Sequence, residues 1–213
     1  MTTLILIRHG ESEANNMGIY AGHLDVDLHP NGLAQAKLTA QRIVSEYTVD
    51  KVYSSDLRRA FKTAQCVADL IGVEVIPERD LRENRAGEWE GVRFDELEKR
   101  FPEDHYMWIH DIGNHRCTGG ESSRELGARV TAALERIARE NDGKTVVIGT
   151  HATPIRAAQC LLSGRPIEDM KDIPWVTNAS FSEYRYDAGK WSIVRVGEDA
   201  HLTELRSKLP PNA

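Results

Sequence analysis

Cysteine is scarce: Cys66, Cys117 and Cys160 are the only three in 213 residues. They are too few and too scattered for a disulfide framework or a zinc cluster, and they read as free thiols in a reducing compartment. Long apolar runs are lacking too. The opening run Leu4-Ile5-Leu6-Ile7 is four residues long before charge interrupts it, shorter than a secretory signal or a membrane helix needs. The chain is therefore expected to be soluble and cytoplasmic, with no membrane partner. A basic surplus is missing as well. Lys plus Arg number 27 against 33 for Asp plus Glu, a net charge of −6, which counts against nucleic-acid binding over the whole surface but leaves room for a local cationic pocket. Repeats, low-complexity tracts and Gly/Ser-rich linkers do not occur. With 40% hydrophobic and 28% charged residues, the expectation is one globular domain over residues 1–213, with a frayed tail at Leu209–Ala213.

What is present is an alternation of strand and helix patterns. Leu4–Ile7 reads as a strand buried on both faces, and Leu33–Val44 as a helix. Lys51–Tyr53 is a second strand, followed by a helix from about Asp56 to Ile71, and Val73–Ile76 is a third strand, stopped by Pro77. Ser122-Ser123-Arg124-Glu125 fits a capping box that opens a helix over Ser123–Glu140. Thr145–Ile148 is the most apolar strand, and a helix is expected to start at Thr153-Pro154 with proline in its favoured first position. Phe181–Tyr186 and Trp191–Val196, joined by residues 187–190, read as a closing hairpin. The pattern predicts an α/β fold with three layers, α/β/α, around a mostly parallel sheet. Phe94–Gly120 is weakly periodic and is expected to be a small helical cap inserted over the site.

Ligands of open parallel sheets sit outside the carboxyl ends of the strands. The first strand exits into Arg8-His9-Gly10-Glu11-Ser12. The second exits into Ser54-Ser55-Asp56-Leu57-Arg58-Arg59, with two arginines in the first turn of a helix. The apolar strand at Thr145 exits into Gly149-Thr150-His151-Ala152. Either histidine alone would be read as a hydrogen-bonded structural residue, and either helix arginine as a solvated one. Together they place two histidines and two or three arginines at one sheet edge, a composition suited to phosphate or carboxylate. Gly10 is expected to let the backbone turn and approach a ligand.

Other motifs fail on inspection. Gly143-Lys144-Thr145 ends like a phosphate-binding loop, but the first glycine that such a loop needs is missing. Gly10-Glu11-Ser12-Glu13-Ala14 lacks the last glycine of a nucleophile elbow. His105, His110 and His115 recur at steps of five, a spacing that aligns poorly on a helix and disfavours a metal site. The four tryptophans read as core or rim packing rather than a base-stacking platform.

Arg8-His9-Gly10-Glu11-Ser12-Glu13-Ala14-Asn15 resembles the opening signature of the histidine phosphatase (phosphoglycerate mutase-like) superfamily. Further ordered matches follow at Gly22–Leu28, Tyr53–Ala60 with Thr63-Ala64, Leu81-Arg82-Glu83, Gly87–Gly91, Gly119–Ser122, the His151 loop and Asn178-Ala179-Ser180. They extend from residue 4 to about residue 202.

The resemblance implies a phosphomonoester hydrolase in which His9 attacks phosphorus and becomes phosphohistidine. It further implies that Arg8, Arg59 and His151 hold the phosphoryl oxygens and that Glu83 is the general acid, then the base for water. Asn15 and Gly22 would belong to the phosphate site, Arg58 would be a less secure contact, and Glu121 the fallback acid. No metal or cofactor is implied, because side chains supply the cations. The expected partner is a small phosphorylated metabolite, and a homodimer is compatible with the resemblance. The sequence departs from the cofactor-dependent mutases at Ala86, at Phe94 and in the absence of a tandem arginine between Phe94 and Gly120, which favours water as acceptor. A mutase and a weakly catalytic phospho-ligand binder remain the alternatives. Trp108, Tyr106, Met107 and His110 predict a partly apolar leaving-group cleft.

Overall fold

In the computed structural model, which describes residues 1–207, the opening apolar run is part of strand β1 (Thr2–Arg8), hydrogen-bonded on both sides. The expected fraying of Leu209–Ala213 lies outside the described residues. The remaining strands are β2 (Lys51–Ser54), β3 (Val75–Pro77), β4 (Thr145–Thr150), β5 (Phe181–Asp187) and β6 (Lys190–Glu198). They form one six-stranded sheet in the order β3-β2-β4-β1-β5-β6. Parallel pairing joins β3, β2, β4 and β1, and the pairs β1–β5 and β5–β6 are antiparallel, so β5 alone runs against the rest.

Alternation of side chains along a strand divides the core into two layers. Leu4 and Leu6 pack with Leu126, Val130 and Leu134 of helix α6 (Ser123–Glu140) and with Ile155 of helix α7 (Ala152–Leu162). Ile5 and Ile7 face the other way, against Ala40 and Ile43 of helix α2 (Pro30–Glu46) and Ala64 and Val67 of helix α3 (Arg58–Ile71). The expected three-layer α/β/α arrangement is observed. A third cluster of buried residues, Tyr20, Ala86, Trp89, Val92, Leu97 and Cys117, packs with Phe94, Phe101 and Trp108. It holds helices α4 (Phe94–Arg100) and α5 (Pro102–His110), which form the cap, while the short helix α1 (Glu13–Met17) follows the β1 exit.

Local signals account for most boundaries. Ser122 and Glu125 form the reciprocal cap of α6, and Gly72 ends α3 in the left-handed conformation (φ 72°). Among the boundaries that differ from the sequence reading, three have a clear local cause. Helix α7 begins at Ala152, so Pro154 is its third residue; the amide that proline lacks is still one of those with no partner inside the helix. Strand β3 is shifted to Val75–Pro77 and includes the proline, which an outer strand tolerates because one side has no ladder to donate to. The β5–β6 turn is two residues long, with Ala188 and Gly189 both at positive φ, as the tight primed hairpin turns require.

Candidate active site

Register brings the two histidines together. Arg8 of β1 lies opposite Thr150 of β4, so His9 and His151, each one residue further on, leave neighbouring strand ends side by side. The His9 amide donates to the Thr150 carbonyl at 2.9 Å, and the two imidazoles meet edge to face with centroids 5.1 Å apart. Strand β2 lies on the other side of β4, which places Ser55 against His151, with Oγ 2.9 Å from Nε2.

His9 is buried, and its Nδ1 lies 2.7 Å from the Gly10 carbonyl. A carbonyl can only accept, so Nδ1 carries the proton and Nε2 keeps its lone pair. Burial first, then the charges of Arg59 and Arg8, push this imidazole well below its ordinary pKa, and it is neutral at physiological pH. His151 is lowered well below the ordinary value for the same leading reason, with Arg59 next.

Both guanidinium groups are buried and held by main-chain carbonyls. Arg8 donates to Val176, and Arg59 donates to Leu24 at 2.9 Å and Gly22 at 2.8 Å. Gly22 has φ +49°, a conformation glycine adopts without strain. Burial lowers both arginines to about 10 while Glu83 opposes the shift, so both stay charged at neutral pH. Arg8 Nε, Arg59 Nε and His151 Nδ1 are buried without partners. Buried donors without partners are costly, and a bound oxyanion would satisfy the two guanidinium groups, whereas His151 Nδ1 donates in one tautomer only.

Arg8, His9, Asn15, Gly22, Arg59 and Glu83 line one cavity of about 330 Å³. His151, in edge contact with His9, is not part of the cavity wall. Asn15 Oδ1 accepts from the amide and hydroxyl of Ser12 and from Asn178, which also donates to the His9 carbonyl. Asn15 thereby ties down the His9 loop. Glu83 Oε1 accepts from the Asn84 amide, which leaves Oε2 open.

Several expectations need correction. Arg58 does not line the cavity; its side chain is 54% exposed and pairs with Asp25. Glu121 is also absent from the wall, because both its oxygens bind Arg129 and one accepts from the Arg85 amide. Gly10 does not face a ligand: a Cβ there would stand 2.2 Å from the Gly32 carbonyl, so glycine is required by the close approach of helix α2. In the cap, the cavity is lined by His105, Trp108 and Ile109 of α5 rather than by Tyr106, Met107 or His110. Tyr106 is 62% exposed and stacks on His110 at 4.5 Å. The three histidines spaced at five thus face different surroundings, His115 being buried against Trp89 and Trp108. Among the described residues no three His, Cys, Asp or Glu side chains form a metal cluster, and no helix is long and apolar enough to cross a membrane.

Sequence reasoning missed Arg129. Its guanidinium donates to the carbonyls of Asp80, Arg82 and Glu83, each at 2.8 Å, while Glu121 holds it in place. His23 Nε2 lies 2.8 Å from the Glu83 carbonyl. No local pattern marks these residues, because the contact joins segments more than forty positions apart.

The buried imidazoles make stability depend on pH in a defined direction. His9, His151 and His115, the last lowered by burial to about 4, stay neutral when folded but take up protons near pH 6.5 when unfolded. Their contribution is therefore complete above that pH and is lost as the pH falls below it. Folding stability of the ligand-free protein should therefore fall between pH 7.5 and pH 5.5, with all three imidazoles acting in the same direction. The half-buried His23 and His201 shift in the same direction. Urea unfolding of the ligand-free protein at the two pH values measures this, and an unchanged midpoint would contradict the buried neutral state.

Residues 4–199 match the histidine phosphatase superfamily (branch 1). Phosphoserine phosphatase 1 of Hydrogenobacter thermophilus is 36% identical over 96% of this chain and 96% of its own. Phosphoglycerate mutase-like protein 4 of Arabidopsis thaliana is also 36% identical, over 94% of this chain and 87% of its own. Among solved structures, a mutant phosphoserine phosphatase from Entamoeba histolytica in complex with phosphoserine superposes with a TM-score of 0.84 at 28% identity, covering 95% of this chain and all of that one.

Proposed function

The chain belongs to the histidine phosphatase superfamily, branch 1, and from that premise we propose that it hydrolyses phosphomonoesters through a phosphohistidine at His9. One observation carries the reading. A buried, neutral imidazole with its Nε2 lone pair free shares a cavity with two buried guanidinium groups and the carboxyl group of Glu83.

In the first step the Nε2 lone pair forms the N–P bond as the ester P–O bond breaks, and Glu83 Oε2 gives its proton to the departing oxygen. The Gly10 carbonyl stays on Nδ1–H and stabilises the imidazolium-like ring as charge develops. Arg8 and Arg59 neutralise the oxygens of the transferring group, the principal catalytic contribution in phosphoryl transfer, while the neutral His151, off the cavity wall, supports the His9 ring in edge contact. In the second step water attacks phosphorus, Glu83 takes its proton, and the N–P bond breaks to restore neutral His9.

The bland alternative for Glu83, a loop tie through Arg82 or Arg85, has no support in the contacts. Arg82 is bidentate to Asp56 and Arg85 donates to Gly119. Water as the acceptor accords with the names of the phosphatase relatives, whereas the mutase-like relative fits an alternative transfer back to substrate. Incubation with 3-phosphoglycerate, with and without 2,3-bisphosphoglycerate, separates the two. Phosphate release, slower than from phenyl phosphate but without formation of the 2-isomer, is expected; efficient isomerisation that depends on the bisphosphate would replace the phosphatase reading. A cytoplasmic location and a single domain over residues 1–213 accompany the proposal.

A further inference from the structure

The leaving-group half of the cleft carries a specificity that its relatives' names do not suggest. Resting on the phosphatase reading, we propose that this half selects esters of neutral aromatic or apolar alcohols and rejects those whose alcohol carries a second anion.

Beyond Arg8 and Arg59 the cavity wall is built from Tyr20, Phe94, Trp108 and Trp175, with Ile19 and Ile109 between them. The rings are already assembled. Tyr20 meets Trp108 at 5.6 Å and Phe94 at 5.8 Å, and Trp108 meets Trp175 at 5.5 Å. A flat apolar alcohol entering this space gains edge-to-face and stacked contacts without reordering the wall.

Apart from the Tyr20 hydroxyl and the indole N–H groups, the polar side chains on that wall are Asp95 and His105. Arginine and lysine are absent from it apart from the two phosphate-end arginines, and Arg93, Arg156, Arg58 and Lys62 all lie off the wall. Arg93 pairs with Asp95 at 3.0 Å and donates to the Met17 carbonyl. Arg156 stacks on Trp175 at 4.3 Å without itself lining the cavity. Arg58 and Lys62 pair with Asp25 and Asp27. A carboxylate or second phosphate on the alcohol would therefore lose its hydration among aromatic rings, find no cation, and meet the carboxylate of Asp95. The neutral donors of the wall, His105 with the Tyr20 hydroxyl and the indole N–H groups of Trp108 and Trp175, serve a neutral hydroxyl or amide as well as an anion.

Two matched pairs of substrates test this. Phenyl phosphate and 4-carboxyphenyl phosphate differ by one remote charge, and 2-phenylethyl phosphate stands against phosphoserine and 3-phosphoglycerate among alkyl esters. The neutral member of each pair is expected to have a kcat/KM about 100-fold higher, the upper range for discrimination by an apolar pocket. Asp95→Lys, which adds a cation and frees Arg93, should shrink that ratio at least about tenfold, chiefly by lowering KM for the anionic esters. Ratios within threefold in the wild-type protein, or a preference for the anionic member, overturn the specificity and leave the phosphatase reading standing. An unchanged ratio in a folded Asp95→Lys protein likewise overturns it. Absence of hydrolysis of every ester, with His9 unlabelled, contradicts the phosphatase reading, and the specificity falls with it.

Discussion

His9→Ala is expected to lower kcat by at least about 10⁴-fold, the scale seen when a covalent nucleophile is removed from an otherwise intact site. The geometry makes the loss specific. Arg8 and Arg59 are held by the carbonyls of Val176, Leu24 and Gly22, none of which depends on the imidazole. His151 keeps its contact with Ser55. The variant should therefore still bind inorganic phosphate, and it should remain folded, because the His9 side chain contributes one hydrogen bond to its own neighbour. Steady-state assays beside phosphate-binding calorimetry measure both halves. Turnover within tenfold of the wild type would show that His9 is not the group that attacks phosphorus.

Glu83→Gln is the second large effect. A proton donor matters in proportion to the basicity of the leaving oxygen. Formation of phosphohistidine from an alkyl phosphate should slow by about 10²–10³-fold, within the usual range for general acid catalysis. From p-nitrophenyl phosphate it should slow by less than about tenfold, since that phenolate departs without a proton. Glutamine preserves the acceptor for the Asn84 amide, and the segment is fixed from outside by Arg129 and His23 acting on the Glu83 carbonyl. The substitution therefore changes proton supply with little change in position. Because the same group activates water in the second step, burst kinetics rather than overall turnover isolates the effect. Equal slowing for both leaving groups would assign Glu83 to positioning.

The features legible in the sequence were those written in contiguous residues. The β1, β2 and β4 exits could be read because each is a short apolar run ending in charged or small residues, and the sheet order puts these three strands side by side. The capping box at Ser122 was legible for the same reason. What escaped were contacts between distant segments, such as Arg129 with Glu83 or Asn178 with the His9 carbonyl, and the face that a weakly amphipathic helix turns inward. Helix α5 carries apolar or aromatic residues on more than one side, so nothing in its periodicity separates the inward His105, Trp108 and Ile109 from the exposed Tyr106. Gly10 illustrates a third kind of miss. The need for a bare Cα was visible, but the neighbour that imposes it is the backbone of Gly32 rather than a ligand.

The central claim is that phosphorus is bonded to His9 during turnover. Rapid mixing of wild-type protein with a ³²P-labelled phosphomonoester, base quenching and peptide mapping test it directly. The account predicts acid-labile, base-stable label on the peptide containing His9, formed and lost at rates compatible with kcat and absent from His9→Ala. Label on a serine or aspartate, or turnover without any labelled protein, would contradict it.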